Sequence, residues 1–204
     1  MKKIILIFLM LIISINVKAY ENDIFKVDID KSYKLELETT NAYRWTKDNN
    51  YIAISVNDNK KLKYNIEAYT KEDIENQEKY FEDGINKGIS KYNIKADVTN
   101  IEKLNNNNAY YLEYDVYYPS KTAIGYDMYQ KGRMFTTNKY IINIIYSSDK
   151  KLENSDDYKN VLNSLTILDN KTNDSNWFIY TFIAIGVIAG IIGAIISIKK
   201  NANK

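Results

Sequence analysis

The stretch AYYLEYDVYY, from Ala109 to Tyr118, decides the fold predicted for this chain. Successive side chains of a β-strand point to opposite faces, so alternate positions form two separate rows. The first row is aromatic and aliphatic, and the second mixes aromatic rings with acids: Tyr110, Leu112, Tyr114, Val116 and Tyr118 against Tyr111, Glu113, Asp115 and Tyr117. We therefore expect a strand with one row on a core and the other on a surface.

Further strands are predicted on both sides of this stretch. If residues 126–137 form the next strand, Lys131 and Arg133 lie across from Glu113 and Asp115. Residues 140–146 are apolar on both faces of the predicted strand, which is typical of a central strand that is buried on both sides. Alternation also predicts strands within 23–56 and over 94–104, and residues 62–69 are compatible with another strand.

Two helices complete the pattern. Thr70 is a suitable N-cap for a helix over residues 71–91, and Glu72 and Asp73 provide the negative charge favoured in a first turn. A second helix is predicted over 153–165, followed by a short strand over 166–168. The order of strands, helix, antiparallel meander and helix indicates an α+β protein, an antiparallel sheet with helices packed on it.

At this level the chain resembles the PsbP-like fold. The features that carry the resemblance are FKVDI at 25–29, AYYLEY at 109–114, YIINIIYS at 140–147, and the Tyr158 to Ile167 segment that follows them. The resemblance implies an α/β/α sandwich around an antiparallel sheet, in a small exported or membrane-tethered domain. It also implies a domain that binds protein partners or assists assembly rather than an enzyme, and it supplies no site residues.

Composition removes several kinds of chemistry. The 204 residues include no histidine and no cysteine, which excludes imidazole proton transfer, thiolate nucleophiles and disulfides. Carboxylates remain: Glu113 and Asp115 lie about 7 Å apart along one strand face, a spacing common in charged sheets. The segment Asp28-x-Asp30-x-Ser32 begins like a calcium loop but lacks its later glycine and glutamate. We expect no enzymatic activity, no metal and no cofactor.

Two hydrophobic segments predict a membrane protein with its domain outside. Residues 1–19 have the basic start, apolar run and small residues of a secretory signal, with Val17 and Ala19 before the cleaved bond. Cleavage would make Tyr20 the N-terminus, and the alternative is an uncleaved anchor. Residues 177–198 are long and apolar enough to cross a bilayer, and Lys199 and Lys200 place the following tail in the cytoplasm.

These boundaries define an exported domain at 20–168, a polar linker at 169–176, a single span at 177–198 and a cytoplasmic tail at 199–204. Six of the 28 basic residues lie outside 20–176 and all 26 acidic residues lie inside, so this part carries about −4. No basic stretch is present that would favour nucleic acid as a partner. The bias toward Lys, Asn, Ile and Tyr is typical of an AT-rich bacterium.

Tyrosine provides the candidate binding residues. The chain has 19 tyrosines, and rings with mixed polarity suit recognition surfaces, although tyrosine also simply favours sheets. The ligand-binding candidates are Tyr111, Glu113, Asp115, Tyr117 and Tyr129. In the span, Gly186, Gly190 and Ala194 form a stripe suited to helix pairing. We expect a cell-surface interaction or assembly module whose partners are the lipid bilayer and another membrane or cell-surface protein. The alternative is a surface protein that binds a small ligand or a glycan.

Overall fold

The computed structural model describes residues 17–90, 94–106, 109–119 and 126–168. Within them it contains ten strands and two α-helices. In chain order these are β1 (Val17–Glu21), β2 (Phe25–Asp30), β3 (Lys34–Glu38), β4 (Ala42–Lys47), β5 (Asn50–Asp58), α1 (Lys71–Ile89), β6 (Asp97–Asn105), β7 (Tyr110–Tyr118), β8 (Met128–Thr136), β9 (Tyr140–Ser148), α2 (Asp156–Ser164) and β10 (Thr166–Ile167).

Seven strands form one antiparallel sheet in the order β3-β4-β5-β9-β8-β7-β6. β9 occupies the central position and is buried from Ile141 to Ser148, because its two apolar faces contact cores on both sides. This confirms the central strand predicted from the sequence. The remaining strands form a second sheet in the order β1-β2-β10.

The large sheet separates two hydrophobic cores. On one face, Phe81, Ile85 and Ile89 of α1 pack with side chains of β6, β7 and β8. On the other face, the small sheet and α2 together cover the sheet, through residues such as Phe25 and Leu162. The expected sandwich is therefore present with one difference, since one outer layer is a helix and the other combines a helix with three strands.

Helix α1 begins where its sequence predicts. The Thr70 hydroxyl accepts a hydrogen bond from the Asp73 N–H, and the Asp73 carboxylate accepts one from the Thr70 N–H, which is a complete capping box. Four residues one turn apart form the buried face: Gln77, Phe81, Ile85 and Ile89. The helix thus lies on the sheet along a single stripe of its surface.

One predicted strand is wrong. Residues 62–69 contain a 3₁₀ turn at Ile66–Ala68 instead of a strand. The fully buried Asn59 holds the start of this segment, because its side-chain amide donates to the carbonyls of Tyr64 and Thr137 and its oxygen accepts from the Tyr64 N–H. The backbone groups of Tyr64 are thus satisfied by a side chain and need no ladder partner.

Several sequence predictions lie outside the described residues. They are the signal segment before Val17, the linker, the span with Gly186, Gly190 and Ala194, and the tail. Among the helices the structure does describe, none combines the length and apolarity needed to cross a membrane. The membrane span therefore stays a prediction from the sequence.

Candidate functional site

The candidate site is a set of three cross-strand pairs on β7 and β8, which we call the β7–β8 ladder. In the antiparallel register Glu113 lies opposite Arg133, Asp115 opposite Lys131 and Tyr117 opposite Tyr129. Directly opposed side chains share one face of a sheet and lie close enough to interact. The pairing of acids with bases that the sequence predicted is confirmed, and all six side chains face the layer that contains α2.

Both acids of the ladder are neutralised by cations. Arg133 Nε lies 2.7 Å from a Glu113 carboxylate oxygen, and Lys131 Nζ lies 2.9 Å from Asp115 and 3.5 Å from Glu113. Burial acts to lower the pKa of Lys131, but the hydrogen bonds and charges of Asp115 and Glu113 outweigh it, so its pKa is raised. Lys131 therefore stays charged, and the ladder is a network of ion pairs.

Arg133 also fixes the position of α2. Its guanidinium donates to the carbonyl of Leu162 at 2.9 Å while its Nε contacts Glu113. The side chain is 11% exposed and its guanidinium carbon lies 4.9 Å from the centre of the Tyr111 ring. One buried cation thus ties the last turn of α2 to the ladder.

The open end of the ladder is aromatic. The Tyr117 and Tyr129 rings stack with centroids 5.2 Å apart and an interplanar angle of 27°, and both residues are half-buried. Burial, followed by the nearby charge of Asp127, raises the pKa of both phenols. They remain neutral hydrogen-bonding groups at physiological pH, and part of each residue is open to solvent.

A cleft of about 280 Å³ opens beside this stacked pair. One wall consists of Asp115, Tyr117, Tyr129 and Lys131 of the ladder, and the facing wall comes from the segment around α2, with Glu153 and Tyr158. Tyr158 is half-buried and contacts Tyr146 while lining this cleft. Leu152, Glu153 and Tyr158 were missed as site residues because no local pattern shows where α2 docks.

Tyr111 does not belong to this surface. The sequence predicted an exposed ring because Tyr111 shares a row with Glu113 and Asp115, but its exposure is only 6%. Its ring lies 5.1 Å from that of Phe135, beneath the small sheet and α2. The expected exposure is therefore wrong, since the covering layer extends over this end of the strand.

A second cleft, of about 430 Å³, lies between β2 and α2 and includes Asp28, Asp30, Tyr33 and Asp157. The N–H and hydroxyl of Ser32 donate to Asp30, and these hydrogen bonds lower the pKa of that carboxyl. The segment resembling a calcium loop is thus a turn closed on itself. In the part of the chain that the structure describes, no three acidic side chains are arranged to hold a metal ion.

No protein-family model matches the chain, and no curated protein matches it in sequence. Solved structures do match it. The solution structure of CyanoP, the cyanobacterial PsbP of Synechocystis sp. PCC 6803, has a TM-score of 0.55 at 12% identity, over 74% of this chain and 92% of that one. The crystal structure of the Saccharomyces cerevisiae Ran-binding protein Mog1p has a TM-score of 0.48 at 7% identity, over 76% and 96%.

The likeness to CyanoP confirms the PsbP-like fold predicted from the sequence. The α+β class and the antiparallel sheet with helices packed on it are confirmed with it. At 12% identity the likeness establishes the fold and no site, because one fold hosts many functions. What the protein does must therefore be argued from the ladder, the clefts and the hydrophobic segments.

Proposed function

We propose that this protein is an exported binding module, anchored in the cell membrane by residues 177–198, with no catalytic activity of its own. Its partner is another membrane or cell-surface protein, which binds at the cleft beside Tyr117 and Tyr129. The observation that carries the proposal is this half-buried aromatic pair at the mouth of a cleft beside the ladder, whose acids Glu113 and Asp115 are already paired with cations.

The ion pairs favour binding over acid–base chemistry. A glycosidase needs one carboxyl kept protonated in an apolar pocket and a second one free to act. Here Glu113 and Asp115 instead contact Arg133 and Lys131 within hydrogen-bond distance. Tyrosine rings, by contrast, bury large area at small entropic cost and are enriched where proteins contact partners.

The anchoring rests on the sequence. Residues 177–198 have the length and apolarity of a span, and Lys199 and Lys200 follow it directly. Protease added to intact cells should digest the domain and leave only a short C-terminal fragment protected. Protection of the whole chain until the membrane is opened would contradict the outward orientation.

Cross-linking in intact cells followed by purification in mild detergent tests the binding site. A partner that co-purifies with the wild-type chain at a constant molar ratio should be absent from the double variant Tyr117→Ala/Tyr129→Ala. Tyr80→Ala is the matched control, because this tyrosine is 36% exposed on α1 in the opposite layer. Equal recovery of the partner by all three chains would refute the proposed site.

A small-ligand or glycan-binding protein is the second candidate. The same cleft favours it, because stacked tyrosines beside charged groups are suited to a sugar ring. Soluble cell-wall fragments should then change tyrosine-region absorbance of the purified chain, and Tyr117→Ala should abolish the change. If the chain purifies without a partner and its absorbance is unchanged by such fragments, this alternative is excluded.

A further inference from the structure

Strand β1 crosses the bond at which the sequence predicts cleavage. It pairs with β2 in an antiparallel register that includes Val17 opposite Asp30, Lys18 opposite Ile29 and Ala19 opposite Asp28. Cleavage after Ala19 would remove these three residues. The shortened strand would keep only Tyr20 and Glu21, so the second half of β2 would lose its neighbour on this edge.

The hydrogen-bonding pattern shows which groups would be released. The Asp28 N–H donates to the Ser164 hydroxyl at 2.9 Å, so the backbone of Asp28 faces α2 and not β1. Backbone groups of consecutive strand residues point to opposite edges, and Ile29 therefore faces β1. Its N–H and C=O form the pair with Lys18, although the Ile29 side chain is only 3% exposed.

The new N-terminus would stay in place. Tyr20 packs its ring against Trp45 at 5.2 Å and Tyr43 at 5.3 Å, and its hydroxyl donates to Glu38 at 2.7 Å. Its backbone also keeps its position opposite Val27. The α-ammonium group of a cleaved chain would consequently be fixed at the end of the vacated edge.

We propose that the processed protein binds an extended C-terminal segment of a partner protein at the vacated edge of β2, as an added strand. This inference rests on the export proposed above and on the cleavage after Ala19 that the sequence predicts. The added strand replaces Val17–Ala19, bonds to the backbone of Ile29, and ends at Tyr20. Strand addition at a free sheet edge is a common mode of peptide recognition.

The chemistry of the edge defines the partner. Residues in the positions of Val17 and Ala19 lie opposite Asp30 and Asp28, which are both exposed acids, so basic residues at these two positions are favoured. The terminal carboxylate would face the Tyr20 α-ammonium, which carries its charge at neutral pH. The partner segment is thus a basic C-terminus in extended conformation.

Hydrogen exchange on the processed full chain in detergent tests the proposal. Intact mass first establishes whether the chain begins at Tyr20. The probe is a synthetic peptide with the sequence of residues 14–19 and a free carboxylate, at millimolar concentration. It should slow exchange of the β2 segment, and a peptide carrying Val17→Lys and Ala19→Lys should bind roughly threefold tighter for each added charge pair.

Matched peptides and variants separate strand pairing from simple charge attraction. N-methylation of the amide at the Lys18 position should abolish protection, because it removes the hydrogen bond to Ile29, and a C-terminal amide should weaken binding severalfold. Asp28→Asn in the protein should remove part of the gain from the added lysines, whereas Asp83→Asn on α1, an exposed acid in the opposite layer, should not.

The outcomes are distinguishable. A chain beginning at Tyr20 whose β2 exchange is unchanged by every peptide overturns the strand-acceptor site and leaves the proposed function intact. A chain that retains residues 1–19 removes the predicted cleavage, and with it the vacated edge. Protection that survives N-methylation would show charge attraction without an added strand and would also overturn the inference.

Discussion

Replacing Gly132 with alanine should destabilise the domain strongly, because Tyr114 lies directly across this position. The two residues are opposite each other on β8 and β7. A Cβ at Gly132 would be 2.3 Å from Tyr114 Cζ and 2.5 Å from its hydroxyl oxygen. Ordinary carbon–carbon contacts lie at about 3.5–4.0 Å, so the ring or the strand must move by more than 1 Å.

The ring has little room to move. Tyr114 is fully buried and its ring lies 4.8 Å from that of Phe81, beneath α1. Overpacking a filled core costs about 1–3 kcal/mol. We expect a cost near the upper end of this range, because the rigid ring of Tyr114 is held between a strand and a helix. Alanine regains about 0.5–1 kcal/mol over glycine through backbone entropy. We expect a net loss of about 2 kcal/mol in the free energy of unfolding.

Urea unfolding followed by tryptophan fluorescence measures this loss, since Trp45 is buried in the domain. With a slope of about 2 kcal/mol per molar urea, the midpoint should fall by about 1 M. Gly84→Ala on α1 is the control and should be neutral or stabilising. In a Tyr114→Leu background Gly132→Ala should cost almost nothing. An equal cost in both backgrounds would refute the steric reasoning.

Three further predictions concern the cap and the ladder. Thr70→Ala removes one half of the capping box and should cost about 1 kcal/mol in urea unfolding. The backbone and side-chain hydrogen bonds from Thr70 lower the pKa of Asp73. The ionised carboxylate therefore stabilises the fold above its unfolded pKa, and this stabilisation is lost as the pH falls through its folded pKa. In Asp73→Asn the free energy of unfolding should accordingly depend less on pH below about pH 4. Arg133→Met should cost about 2–3 kcal/mol in thermal or urea unfolding, because the Leu162 carbonyl loses its buried donor and Glu113 keeps only Lys131, 3.5 Å away, and adding Glu113→Gln should recover part of the loss.

Much of the fold was predictable because its signals are local. Alternation with a period of two gave the strands of the meander, and apolar residues on both faces of β9 placed it at the centre. The Thr70 cap gave the start of α1. That Glu113 and Asp115 face Lys131 and Arg133 also followed from the alternation of each strand, because antiparallel neighbours bring alternate rows together.

The site was less predictable because it depends on how layers overlap. Periodicity assigns Tyr111 and Tyr117 to one face of β7, but it does not show how far along the strand a covering layer extends. The structure buries Tyr111 and leaves Tyr117 half-buried. Likewise β1 continues into residues that the sequence assigned to a cleaved signal, and only its pairing with β2 shows their place in the fold.

The two proposed sites should respond differently to salt, because their charges are differently placed. At the cleft the ladder acids already contact Lys131 and Arg133, and the other two charged side chains that line it, Lys151 and Glu153, have opposite signs, so a partner meets no net charge there. At the β2 edge, Asp28 and Asp30 are exposed and would meet a basic strand. Exposed charges are screened over about 8 Å at physiological salt and over less at higher salt. Raising the salt concentration should therefore weaken peptide binding at β2 and leave recovery of the cleft partner nearly unchanged, and equal weakening at both would contradict this assignment of charge.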